Sequence, residues 1–247
     1  MNYLTCGSPE NKSLLFLHGM ASTAELCFAP LLPYLQEYHV ILAEIDGHSE
    51  RMPGDLTSIL DCCDDIEGYI KDHLDGKLHG LIGFSMGGTM AVELIGRGNI
   101  EVERTLLDAA FVIRIGAFLK PLTFVFCKGI ERIKKGKSVP KWLMGRMFGR
   151  DNTSLLEMFY PGISQNTVKN CLKLLDDYRV PETLRNYKNP VTCWCGEYET
   201  MPVKGFQTLK LYLPQMTEEV KLHMGHGQFL HEHSEEYAKE LISFMES

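Results

Sequence analysis

Short runs of apolar residues, each closed by a turn signal, alternate along this chain with segments whose apolar residues recur every three or four positions. Leu14–Leu17 ends at His18-Gly19 and Val40–Ile45 at Asp46-Gly47. Short apolar runs bounded in this way suit strands buried on both faces. Between them, Phe28–Tyr38 carries Leu31, Leu32 and Leu35 and reads as a helix. Ile59, Cys62, Cys63, Ile66, Ile70 and Leu74 keep the spacing of an amphipathic helix. Leu78–Phe84 follows as a third strand, Gly87–Arg97 as a helix closed by Gly98-Asn99, and Val102–Leu107 as a fourth strand. The alternation resumes with strand Val191–Cys195, helix Val203–Leu213 opened by Pro202, strand Glu219–His223 and helix Glu235–Met245. Ser234 stands where it would cap that last helix, with Glu235 and Glu236 in the favourable first turn. Strands alternating with helices predict a mostly parallel sheet covered on both faces.

From about Phe111 to Tyr187 the pattern breaks into long apolar helical segments with no convincing strand. The simplest organisation is one α/β core, residues 1–110 and 188–247, interrupted by a helical insertion over 111–187. At 247 residues, 45% of them hydrophobic and 23% charged, the chain is long enough for one large domain and far from a disordered composition. A net charge of -7 argues against a duplex nucleic-acid binder, which shows a basic domain. The most apolar stretch, Phe111–Ile130, is broken by Arg114, Lys120 and Pro121, so stable membrane insertion is not expected. The N-terminal segment lacks the charged-then-apolar run of a secretory signal, which predicts a cytoplasmic protein. The eight cysteines include the adjacent pair Cys62 and Cys63 and the i, i+2 pair Cys193 and Cys195, and no CxxC or Cys/His spacing suggests zinc. They read as reduced core residues, and no metal site is expected.

The chemical signal is Gly83-Phe84-Ser85-Met86-Gly87-Gly88, directly after a predicted strand and directly before a predicted helix. A serine there must turn sharply, and side chains two residues before or after would obstruct the turn. Gly83 and Gly87 remove those obstructions, so the Ser85 hydroxyl projects from the sheet edge. The following helix aims its N-terminus at the same point, where free N–H groups favour developing negative charge.

With this motif in that context, the chain resembles the α/β-hydrolases over nearly its whole length. The resemblance implies a serine nucleophile followed in chain order by an acid and a histidine base. His226, in Met224-Gly225-His226-Gly227, lies just past the last predicted strand, where the family carries its base; His223, His231 and His233 read as a surface cluster. The family places an aspartate three residues after the glycine that ends the preceding strand. Here that position, in Gly196-Glu197-Tyr198-Glu199, holds Glu199, whose longer side chain demands a different local backbone. Asp108, at the end of the fourth strand, is the alternative acid, and Glu197 is a third candidate. The implied oxyanion hole pairs the N–H of Met86 with that of Met20, in a His18-Gly19-Met20 loop similar to the family's His-Gly-x motif. His18 is expected to order that loop, and His48, in the shortened loop Asp46-Gly47-His48-Ser49, to be structural.

The insertion falls where the family carries a cap that roofs the site. Phe111, Phe118, Leu119, Leu122, Phe124, Val125 and Phe126 predict an apolar wall for an acyl or aromatic group, or the cap's own core. Lys128–Arg150 holds eight Lys/Arg and one Glu, leaving -14 for the rest of the chain. Such a segment could touch an anionic lipid surface or an acidic substrate, although a solvated helical face is the commoner explanation.

The resemblance therefore implies a serine hydrolase cleaving a small carboxylic ester through an acyl-enzyme on Ser85, a carboxylesterase needing no cofactor. A monoacylglycerol-type lipase, a thioesterase or a carbon–carbon bond hydrolase would use similar residues. A ligand-binding protein that keeps the fold without turnover is the reading from another class. Nothing in the sequence sets the acyl-chain preference or the oligomeric state.

Overall fold

The computed structural model describes residues 1–137 and 154–247. Seven strands form one sheet in the order β1-β3-β2-β4-β5-β6-β7. They are β1 (Asn2–Cys6), β2 (Ser13–Leu17), β3 (His39–Glu44), β4 (Lys77–Phe84), β5 (Glu101–Asp108), β6 (Val191–Gly196) and β7 (Thr217–Lys221). All neighbours pair parallel except β1, which runs antiparallel to β3.

Side chains alternate across the strands with period two, and the two core layers follow from that. Leu15, Leu17, Ile41, Leu81 and Leu107 point into one layer with α2 (Ile59–Leu74) and α3 (Met86–Arg97). Leu14, Phe16, Leu42, Ile82 and Leu106 point into the other, against α1 (Ala24–Phe28) and the C-terminal helix, which supplies the fully buried Tyr237. Both faces of the central strands are buried, as their unbroken apolar runs require.

Several elements differ from expectation; strand Glu219–His223 lies two residues earlier, at Thr217–Lys221, and helix Val203–Leu213 three earlier, at Thr200–Lys210. Phe28–Tyr38 is not one α-helix: α1 ends at Phe28 and Ala29–Tyr34 continues as a 3-10 turn. Pro30 and Pro33 each withhold a backbone N–H, so the longer ladder cannot form. β1 carries no clean sequence signal, because an edge strand with partly exposed residues needs no apolar run. The last helix starts at Ser234 itself, with His233 at the cap position and no side-chain capping bond.

Between β5 and β6 lie α4 (Leu119–Lys134), α5 (Ser154–Glu157) and α6 (Gln165–Asp177). Ser164 caps α6 by accepting from the Thr167 N–H at 2.9 Å. Ile130 of α4, Val168 and Leu172 of α6, and Ile163 form a small core of their own. The expected basic segment Lys128–Arg150 lies only partly within the described residues, its portion 138–150 falling outside them. In the described part, Lys128 and Lys135 both pair with Glu131 on the same helix. After β6 come α7 (Thr200–Lys210), α8 (Gln228–Glu232) and α9 (Ser234–Glu246).

The register places Leu17 beside Gly83, Gly83 beside Leu107, and Phe84 beside Asp108, which in turn pairs with Trp194. The carboxyl ends of β2, β4, β5 and β6 therefore open on one edge, where open α/β sheets carry their sites.

Candidate active site

Ser85 leaves the end of β4 with φ 55° and ψ -116°, a strained conformation for a residue with a side chain. The neighbours enforce it. The Ser85 N–H is tied to the Asp108 carbonyl at 2.8 Å, and α3 begins at the next residue. A Cβ on Gly83 would stand 2.5 Å from the Gly87 carbonyl oxygen, and one on Gly87 would overlap the Leu17 carbonyl. Both flanking glycines are thus steric necessities of the turn.

His226 Nε2 lies 3.1 Å from Ser85 Oγ, and His226 Nδ1 lies 2.5 Å from Glu199 Oε1. These contacts join residues 141 and 27 positions apart in the chain. The loop after β6 supplies Glu199: its other oxygen, Oε2, accepts from the Gly196 N–H at 2.5 Å, and its own N–H returns to the Gly196 carbonyl at 3.1 Å. This closed turn absorbs the extra methylene of glutamate and aims the carboxylate at the ring. A Cβ on Gly196 would collide with the Met224 backbone, so that glycine lets the two loops approach.

The carboxylate accepts the Nδ1 proton, which leaves Nε2 as the acceptor facing the serine hydroxyl. Burial alone would lower the His226 pKa. The Glu199 charge and hydrogen bond, with the Asp108 charge behind them, outweigh that effect and hold it above the ordinary histidine value.

Asp108, the alternative acid, is buried one strand away, and it is Glu199 that bonds the imidazole. Burial, reinforced by the Glu199 charge, pushes the Asp108 carboxyl up to about 7. Glu197 turns elsewhere and accepts from the His223 N–H at 2.9 Å. Of the neighbouring histidines, His223 is exposed, whereas His231 is part-buried and bonds the Cys27 carbonyl at 3.1 Å rather than standing on the surface.

Met86 is the first residue of α3, and first-turn N–H groups have no acceptor within their own helix. Met20, on the loop after β2, lines the same cavity as Ser85. His18 orders that loop: its Nε2 accepts from the Ile45 N–H at 3.1 Å, so its Nδ1 carries the proton and donates to the Gly19 carbonyl at 2.9 Å. Burial takes its pKa down to about 3, which keeps it neutral. His48 is also buried and neutral, its pKa down to about 4, with Nδ1 on the Asp46 carbonyl and Nε2 3.8 Å from Cys171 of α6.

Ser85, His226 and Glu199 open on a cavity of about 340 Å³ roofed by α4 and α6. Phe111, Leu122, Val125 and Phe126 line it as expected. Phe118, which precedes α4, and Phe124 within it do not: they are 75% and 65% exposed. Leu119 packs into the small core between α4 and α6. Leu172 and Leu175 of α6, Met158 and Phe159 complete the wall, and no sequence signal linked them to Ser85. Among the described residues no cluster of three or more His, Cys, Asp or Glu could hold a metal ion.

A family model described as alpha/beta hydrolase fold matches residues 12–120. Among solved structures, an alpha/beta hydrolase family protein from Desulfitobacterium hafniense superimposes with a TM-score of 0.85 at 20% identity, covering 98% of this chain and 99% of that one. An esterase from Exiguobacterium antarcticum gives 0.79 at 20% identity over 99% and 95% of the two chains. An enol-lactonase from Burkholderia xenovorans gives 0.79 at 16% identity over 100% and 96%. No curated protein sequence matches significantly. This chain has the α/β-hydrolase fold, with a mostly parallel sheet and helices on both faces.

Proposed function

We propose that this protein is a serine hydrolase of carboxylic esters. The observation that carries the reading is the continuous relay from Glu199 Oε1 to His226 Nδ1 at 2.5 Å and from His226 Nε2 to Ser85 Oγ at 3.1 Å, opening on an apolar cavity. In this reading Ser85 Oγ attacks the ester carbonyl carbon while its proton passes to His226 Nε2. Glu199 holds the ring in the required tautomer and stabilises the imidazolium. The N–H groups of Met86 and Met20 receive the oxyanion, aided by the N-terminus of α3. The imidazolium then protonates the departing alcohol, leaving an acyl group on Ser85. Water, activated by the same imidazole, releases the acid and restores the hydroxyl. The chemistry calls for no cofactor.

A fluorophosphonate probe tests the assignment. Wild-type protein is expected to be labelled and to hydrolyse p-nitrophenyl esters. Ser85→Ala should abolish labelling and lower turnover at least about a thousandfold. An unreactive, folded wild type would instead make the cavity a binding site without turnover.

A further inference from the structure

A glycine in the middle of a packed helix usually marks a place where a side chain would collide. Gly129 of α4 does not: among the described residues no heavy atom lies within 4 Å of where its Cβ would stand. Gly129 is nonetheless one of the six α4 residues that line the cavity above Ser85, with Leu122, Val125, Phe126, Ile130 and Ile133. Their spacing is that of a single helix face turned inward, so the missing side chain leaves its space to the cavity. The helix forgoes intrinsic stability there, since glycine is the poorest helix former after proline.

The rest of the compartment matches that notch. Beyond the Ser85–His226–Glu199 relay, no ionisable group except the Tyr198 phenol lines the cavity among the described residues. Leu172 and Leu175 of α6 add to the apolar lining.

Resting on the proposed esterase reading, we infer that the substrates are esters of uncharged, apolar acids, and that the Gly129 notch in α4 sets the acyl-chain length accepted. A short acyl group leaves the compartment part-empty and forgoes the burial that would hold it. A charged or bulky acid meets an apolar wall with no partner for it.

The test is the kcat/KM profile of wild type, Gly129→Ala and Gly129→Leu on p-nitrophenyl esters from acetate to palmitate, with fluorophosphonate labelling run in parallel. Wild type should prefer longer acyl chains to acetate. In Gly129→Leu the ratio of decanoate to butyrate kcat/KM should fall at least about tenfold, because the new side chain occupies the tail position. Gly129→Ala should show a smaller shift in the same direction while raising Tm by about 2–4 °C, the gain expected from helix propensity alone. A wild-type optimum at acetate, or an unchanged profile in a folded Gly129→Leu, overturns the inference while leaving the esterase reading intact. Absence of both labelling and turnover in wild type fails the esterase reading itself, and the inference with it.

Discussion

Two carboxylates, Glu199 and Asp108, stand at the ends of neighbouring strands beside His226, and their surroundings give them different work. Glu199 touches the ring and is held in place by the Gly196 N–H. Asp108 is buried, with its pKa raised to about 7 by that burial and the Glu199 charge. Replacing Glu199 by Gln should therefore cost roughly 100- to 10,000-fold in kcat, as loss of the orienting carboxylate does in such relays. It should also shift the pH profile. The proposed mechanism needs neutral His226, whose pKa the carboxylate raises, so the acidic limb of kcat/KM should move to lower pH. Asp108→Asn should move that limb less and keep most activity. Its signature is in stability: the folded pKa lies above the unfolded one, so this carboxyl's contribution is lost as pH rises from about 4 to 7, while buried His18 and His48 act in the opposite sense in both proteins. The Asn variant should gain relative to wild type across that window, by up to about 4 kcal/mol at pH 8, less whatever an unpaired amide loses. A stability difference between the two proteins that is the same at pH 5 and pH 8 would count against this account of Asp108.

At the scale of the element, the turn between β4 and α3 is the least forgiving segment. Gly87→Ala pushes a methyl group into the Leu17 carbonyl, which belongs to the next strand and cannot retreat without breaking the sheet. That change should lower stability by at least about 3 kcal/mol in chemical denaturation, and Gly83→Ala should act similarly. Ser85→Ala, two residues away, should change stability by less than about 1 kcal/mol, because it keeps the same backbone and removes only a hydroxyl. The contrast separates the residues that build the turn from the one the turn presents. An Ala at position 87 as stable as wild type would mean that the strand and helix do not meet as closely as described. The helices over the site are built differently: their small core is distinct from the two layers of the sheet, and the cavity lies between the two systems.

Over the whole molecule, all eight cysteines are free thiols, and seven are buried. Cys6, on edge strand β1, is the exposed one. Alkylation of native protein followed by mass spectrometry should therefore modify Cys6 well before the others, and denaturant should expose all eight. Early labelling of Cys193 or Cys195, which sit in β6 between helices and sheet, would be incompatible with this packing. Among the described residues no helix is long and apolar enough to cross a membrane.

How far the sequence could be read follows the range of the interactions involved. The strand–Ser85–helix turn was legible because its requirement is local: glycines at 83 and 87 clear space for a hydroxyl between two elements. The alternating core was legible because strands buried on both faces must be continuously apolar. Chain order pointed to Glu199 and His226, but only the fold brings the ring from beyond β7 to within 3.1 Å of a serine 141 residues earlier. Pro30 and Pro33 were present in the sequence, yet the apolar spacing around them masked their breaking of the helix. Which phenylalanines line the cavity, that Gly129 lines it with them, and where β1 pairs were decided by tertiary structure alone. Each depends on what packs against a segment from elsewhere in the chain, and the local pattern of a segment carries no record of its distant neighbour.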